Sequence, residues 1–187
     1  MARASLRQDV RVTTLLLARH GETDWNHARR WQGHADRPLT ERGRAQAAAL
    51  AERLADIALD AVYASDLQRA RETAVVVAAK QGLEVIELHD LREVDVGSWE
   101  GLTREEAEAC FPEGYRRWLA GGTGWDDGET YEQMSARVIA AVERIAAAHE
   151  GGRFLIVSHG GPIRAIHAAA LGLGVDAYRR IRPVEPN

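Results

Sequence analysis

One cysteine, Cys110, stands among 187 residues. The chain therefore forms no internal disulfide and holds no cysteine metal cluster, and a reducing, cytoplasmic setting is expected. Long hydrophobic runs are missing too. The run TLLLA at 14–18 is far too short to span a bilayer, and the leader MARASLRQDV precedes no signal-type apolar stretch. No membrane partner is expected. Charge of one sign is also missing: 24 basic residues face 28 acidic ones, a formal net charge of -4. No arginine block interleaves with aromatics, so no nucleic-acid partner is expected. A mildly acidic chain still binds an anion where its few arginines converge.

Several chemical signatures are absent as well. There is no HExxH, no paired cysteines and no aspartate-rich magnesium loop, so no metal ligand is expected. The other histidines, at 27, 34, 89, 149 and 167, are scattered. No Walker A pattern occurs, and IVSHG around Ser158 lacks the first glycine of a nucleophile elbow. Cys110 and Arg116 match the C-x5-R spacing of cysteine phosphatases. A helical pattern precedes the cysteine, however. The loop also holds a proline without an N–H and a glutamate that repels phosphate. Cys110 is expected to be a small buried hydrophobe.

What remains is ordinary globular composition, 45% hydrophobic and 28% charged. One domain over 1–187 is expected, with 1–10 and 181–187 poorly ordered. Val12–Ala18 reads as a buried strand. It runs into Arg19-His20-Gly21, which places charge at a strand C-terminus, where open α/β sheets bind ligands. Residues 21–38 read as a loop with one short helical turn. Thr40 caps a helix to Ala55 with Ala47, Leu50 and Leu54 on one stripe. Asp60–Ala64 is a second strand. Ser65 or Asp66 caps a helix carrying Ala70, Ala74 and Val77 to Gly82. Glu84–Leu88 is a third strand.

The middle is less regular. Leu91–Gly101 is a loop, and Thr103 caps a helix to Cys110. Phe111-Pro112 breaks it before a further turn or two to Leu119, and a glycine-rich connection follows. Thr130 or Tyr131 opens a long helix with Met134, Val138, Val142 and Ile145 on one face. Phe154–Val157 is a fourth strand, followed by Ser158-His159-Gly160-Gly161 and a helix with Pro162 in its first turn. The pattern is α/β, and two of the four strands end in a histidine beside a glycine.

Arg19-His20-Gly21-Glu22-Thr23, continued by Asp24-Trp25-Asn26, resembles the signature of the histidine phosphatase superfamily, the phosphoglycerate mutase-like proteins. Ser65–Thr73 resembles the segment of its second arginine and points to Arg69. Leu91–Gly101 resembles its acid–base segment and points to Glu93, with Asp95 and Glu100 close enough to stay open as alternatives. Ser158–Gly161 resembles the segment of its second histidine. The likeness runs from about residue 12 to residue 172. It implies a three-layer α/β/α sandwich with a mostly parallel central sheet. It also implies a further edge strand after the last helix, and the sequence ends at Pro186-Asn187, where that strand would begin.

The resemblance also implies a metal-independent phosphomonoesterase without a cofactor. His20 would attack phosphorus and form a phosphohistidine, its other ring nitrogen held by a nearby backbone carbonyl. Arg19 and Arg69, with His159 as a third donor if it is protonated, would hold the phosphoryl oxygens. Glu93 would protonate the leaving oxygen and later activate water. Gly21, Glu22, Thr23, Asn26, Gln32, Gly33 and Gly160 are the further expected substrate contacts. Arg71, Glu72 and Trp99 are expected to support the fold. The tryptophans at 25, 31, 99, 118 and 125 permit stacking on a sugar or a base.

The expected partner is a small phosphate ester, and a homodimer is an open expectation. The alternative is a cofactor-dependent phosphoglycerate mutase. It rests on Arg116-Arg117, which resemble the pair that grips a substrate carboxylate there. The compact middle segment favours the phosphatase.

Overall fold

A computed structural model describes residues 12–174 and Ile181. The expectations for 1–10, for 182–187 and for a further edge strand lie outside the described residues.

Four parallel strands form the sheet in the order β1-β4-β2-β3: β1 Thr14–Arg19, β2 Ala61–Ala64, β3 Val85–Glu87 and β4 Arg153–Ser158. The strand inside the sheet is the most apolar: Phe154 to Ser158 of β4 are all buried, as expected where helices cover both faces. The alternation of period 2 is visible in the core. Ala18, Val62, Ala64, Leu155 and Val157 point to one face. There they meet α2 (Glu41–Arg53) and α3 (Gln68–Gln81) through Ala51, Leu54, Ala70, Ala74 and Val77. Ala61, Tyr63, Phe154 and Ile156 point to the other and meet Leu91, Ala141 and Ile145. The last two lie on α6 (Tyr131–Ala148), beside α7 (Gly160–Ala170). The expected α/β/α layering is therefore observed.

Three short helices complete the described set: α1 (Asp24–His27), α4 (Arg104–Cys110) and α5 (Pro112–Leu119). Capping explains most helix starts. Thr23, Thr103 and Thr130 each form a capping box, and the Thr40 hydroxyl accepts from the Gly43 N–H. Gly82 ends α3 in the left-handed region, which glycine enters without a Cβ penalty.

Two expectations need correction. The α3 cap is Leu67, with no side-chain bond; Asp66 is instead taken up by the Arg92 guanidinium at 2.7 Å. Cys110 is exposed, because the buried face of α4 is Ala107. The expected α2 stripe holds, with Ala47 and the C-cap Leu54 buried and Leu50 half-buried against the core, and Gly43 and Ala51 are buried as well. Small residues let this helix lie close to the loop after β1: a Cβ on Gly43 would overlap the Glu22 carbonyl oxygen, and one on Gly21 the Gly43 carbonyl.

Candidate active site

Parallel pairing aligns the ends of β1 and β4, with Arg19 opposite Ser158. The next residue of each strand is a histidine, and the two rings lie 5.1 Å apart. Both side chains are buried, His20 at 2% and His159 at 0% exposure. Burial, then the Arg69 charge, pushes both imidazoles well below their usual pKa, so both are neutral near pH 7.

The tautomers follow from the partners. The His20 ring donates from Nδ1 to the Gly21 carbonyl oxygen at 2.7 Å, which leaves a lone pair on Nε2. His159 Nδ1 accepts from Arg69 Nε at 3.2 Å, so its proton sits on Nε2. That nitrogen is buried and has no hydrogen-bond partner. One ring therefore offers an electron pair and its neighbour an N–H donor.

Arg69 comes from the first turn of α3 and is 1% exposed. Its Nη1 donates to the Ala35 carbonyl at 2.7 Å and its Nη2 to the Gly33 carbonyl at 2.9 Å. With Nε on His159, three of the five guanidinium N–H groups are engaged and two remain for an oxyanion. Burial pushes Arg69 down to about 10, and it is still charged at neutral pH. Glu93 sits across the site. Its carboxylate accepts from the Val94 N–H at 3.0 Å and from the Gly161 N–H of α7 at 3.1 Å.

Arg19, His20, Asn26, Gln32, Gly33, Arg69 and Glu93 line one cavity of about 490 Å3. Gly160 stands beside it, and a Cβ there would lie 3.9 Å from both Arg19 and Glu93. Other expected contacts are placed differently. Glu22 turns away, its carboxylate on Thr40 and Arg42 at the start of α2. Thr23 is fully buried and caps α1. Gly21 serves through its backbone, its carbonyl holding His20 and its N–H donating to Thr73 Oγ1 at 3.0 Å. Asn26 spends Oδ1 on the Thr23 N–H at 3.1 Å, so its amide NH2 is the group left for a ligand. Of the open alternatives to Glu93, the Asp95 carboxylate accepts from the Gly97 N–H. Glu100 accepts from the N–H groups of His34 and Ala35. Neither residue lines the cavity.

Two positioning residues become visible here, Arg137 outside the sequence motifs and Glu100 within the Leu91–Gly101 segment. Arg137 of α6 donates to the carbonyls of Asp90, Arg92 and Glu93 at 2.9, 2.9 and 2.8 Å and pairs with Glu129. It fixes the backbone under Glu93. Glu100 fixes the loop whose carbonyls hold Arg69. Arg137 sits amid the helical periodicity of α6, and no local pattern marks it.

Tryptophans 31, 99, 118 and 125 pack on one another, ring centroids 5.2–6.5 Å apart. Trp25 lines the cavity without joining that cluster and lies under the Arg37 guanidinium. Arg29, also in the lining, has φ 55, the one positive value among described non-glycine residues. Such a backbone costs about 1 kcal/mol or more. Among the described residues, no three His, Cys, Asp or Glu side chains converge as a metal-ligand set. No described helix is long and apolar enough to cross a membrane.

Residues 15–187 match the histidine phosphatase superfamily (branch 1). The chain belongs to this superfamily. The metal-independent phosphoserine phosphatase of Arabidopsis thaliana is 43% identical over 161 residues, covering 83% of this chain and 68% of that protein. The probable phosphoglycerate mutase GpmB of an Enterobacter strain is 41% identical over 174 residues, covering 89% and 78%. Among solved structures, a mycobacterial glucosyl-3-phosphoglycerate phosphatase complexed with VO3 superposes with a TM-score of 0.84 at 35% identity, covering 92% of this chain and 87% of that one. This histidine phosphatase thus has relatives named for both of the activities that its sequence left in competition.

Proposed function

We propose that this histidine phosphatase is a metal-independent phosphomonoesterase that hydrolyses a small phosphorylated metabolite through a phosphohistidine. The observation that carries the proposal is the tautomer lock on His20. A neutral imidazole with its Nδ1 proton held by Gly21 presents an in-line lone pair on Nε2.

In the first step His20 Nε2 bonds to phosphorus and the bond from phosphorus to the ester oxygen breaks. Glu93 gives its proton to that oxygen, and the alcohol leaves. In the second step water attacks phosphorus, Glu93 takes the water's proton, and the N–P bond breaks to release inorganic phosphate. Arg19, the two remaining N–H groups of Arg69, His159 Nε2–H and the Asn26 amide stabilise the equatorial oxygens throughout. These preorganised donors supply the electrostatic stabilisation that a metal ion provides elsewhere. Gln32, Gly33 and Gly160 complete the substrate wall. A cytoplasmic setting is part of the proposal, in keeping with a single, exposed thiol.

The runner-up is a phosphoglycerate mutase, supported by the name of the Enterobacter relative. The arginine pair that favoured it in the sequence is committed elsewhere. Arg116 pairs with Glu113, Arg117 pairs with Asp126 and bonds the Gly124 carbonyl, and neither lines the cavity. A panel of phosphomonoesters in EDTA separates the two activities. It should include 3-phosphoglycerate with and without 2,3-bisphosphoglycerate. Phosphate release without isomerisation is expected, and His20→Ala abolishes it. Cofactor-dependent isomerisation with little phosphate release refutes the phosphatase.

A further inference from the structure

We infer that Gln46 is a positioning residue for His20: it holds, from the far side, the peptide group that locks the His20 tautomer. The inference rests on the proposed phosphatase for the step in which His20 bonds to phosphorus. The resting arrangement stands without that step.

The Gly21 carbonyl and the Glu22 N–H belong to one peptide unit. No described peptide bond is cis, so these two polar ends point in opposite directions. The carbonyl end accepts from His20 Nδ1 at 2.7 Å. The N–H end donates to Gln46 Oε1 at 2.8 Å. A backbone N–H only donates, so the Gln46 amide presents its oxygen there. A continuous hydrogen-bonded chain thus runs from Gln46 through the peptide to the His20 ring. Bonds in such a chain polarise one another. The acceptor on the N–H makes the Gly21 oxygen more negative, and that oxygen holds the Nδ1 proton more firmly.

The peptide unit before it is fixed as well. The Gly21 N–H donates to Thr73 Oγ1 at 3.0 Å, and that hydroxyl donates to the Arg69 carbonyl at 2.8 Å. The N–H groups of Gly21 and Glu22 therefore end on side chains of two different helices, α3 and α2. Gln46 reaches its place through a close approach. It stands one turn after Gly43 on the same side of α2. There a Cβ on Gly43 would lie 2.1 Å from the Glu22 carbonyl oxygen, so only glycine lets the helix come this near. Arg44, Ala45, Ala48 and Ala49 around it are exposed, whereas Gln46 is half-buried.

The chain of bonds gains strength during the attack. As Nε2 bonds to phosphorus the neutral ring becomes cationic, and its Nδ1–H becomes a charge-assisted donor to Gly21. Gln46 therefore stabilises the transition state more than it stabilises bound substrate.

Two variants test this. Gln46→Met removes the acceptor and keeps side-chain length and helix propensity. Gln46→Glu keeps an oxygen acceptor. In protein labelled with 15N-histidine, the His20 Nδ1–H resonance is assigned by its absence from His20→Ala. It should move upfield in Gln46→Met and stay in place or move downfield in Gln46→Glu. With p-nitrophenyl phosphate as the probe, kcat/KM should fall about fivefold in Gln46→Met, the size of one hydrogen bond. In Gln46→Glu it should stay within about twofold, and so should the inhibition constant of inorganic phosphate in both variants, since that ligand senses the cage and not the attack. An unmoved resonance, an unchanged kcat/KM, or phosphate binding that weakens as much as kcat/KM falls overturns the role of Gln46. So does a loss in Gln46→Glu as large as that in Gln46→Met. If the unsubstituted protein turns over no phosphomonoester, the phosphatase fails, and the resonance alone decides on Gln46.

Discussion

Acidification from pH 7 to pH 5 should weaken this fold through its two buried histidines. Each is held well below the ordinary value, first by burial and then by the Arg69 charge. The unfolded chain takes up a proton on each imidazole near pH 6.5, while the native state refuses it. The stabilising difference is therefore present above about 6.5 and is lost as pH falls, at about 1.4 kcal/mol per pH unit for each ring. Integrated from pH 7 to 5, this amounts to about 2 kcal/mol per ring and up to about 4 kcal/mol for the pair, provided that the folded values stay under that window. Urea unfolding in phosphate-free buffer at the two pH values measures it. Carboxylates contribute to the raw loss, so the informative comparison is with the His20→Asn/His159→Asn double variant. That variant should lose less over the same interval, by up to about 4 kcal/mol. If both proteins lose the same amount to within about 1 kcal/mol, the two imidazoles are not held neutral by the fold, and the tautomer argument for His20 fails with them.

Two further perturbations test the frame around the site. Gly43→Ala should cost at least about 2 kcal/mol, seen as a lower melting temperature, because the new methyl meets the Glu22 backbone and not a side chain that can swing away. Arg137→Met leaves three carbonyls and Glu129 without their shared donor. It should cost about 3 kcal/mol of stability, and kcat should fall more than KM rises, because Glu93 loses its backbone anchor. Unchanged kcat with lowered stability would make Arg137 a purely structural residue.

The strands, the two histidine-bearing strand ends and the long helix were legible in the sequence because each is a local pattern: apolar runs closed by turn residues, and a 3.6-residue stripe through Met134, Val138 and Ile145. Arg69 and Glu93 were legible through motif likeness and not through any periodicity. Side-chain fates that depend on non-local partners were not. Asp66 looked like a helix cap because its partner, Arg92, is 26 residues away in the chain. Glu22 sits between two site residues in sequence but turns toward α2, since the loop after β1 presses against Gly43. The tryptophans suggested ligand stacking by composition. Four of them meet one another across four separate segments, a convergence that only the tertiary fold creates.

The distance between the two histidine rings, 5.1 Å, is close to the spacing of neighbouring strands, about 4.8 Å. His20 N–H even continues the ladder by donating to the Ser158 carbonyl at 3.0 Å. The reactive separation is thus a lattice constant of the sheet and not a property of any loop. The four-residue α1 and the seven-residue α4, which supply Trp25, Asn26, Arg104 and Glu105 to the cavity wall, are instead short, and local opening of such elements is cheap. The two histidines therefore stand on the ends of paired strands, and part of the cavity wall around them stands on two short helices.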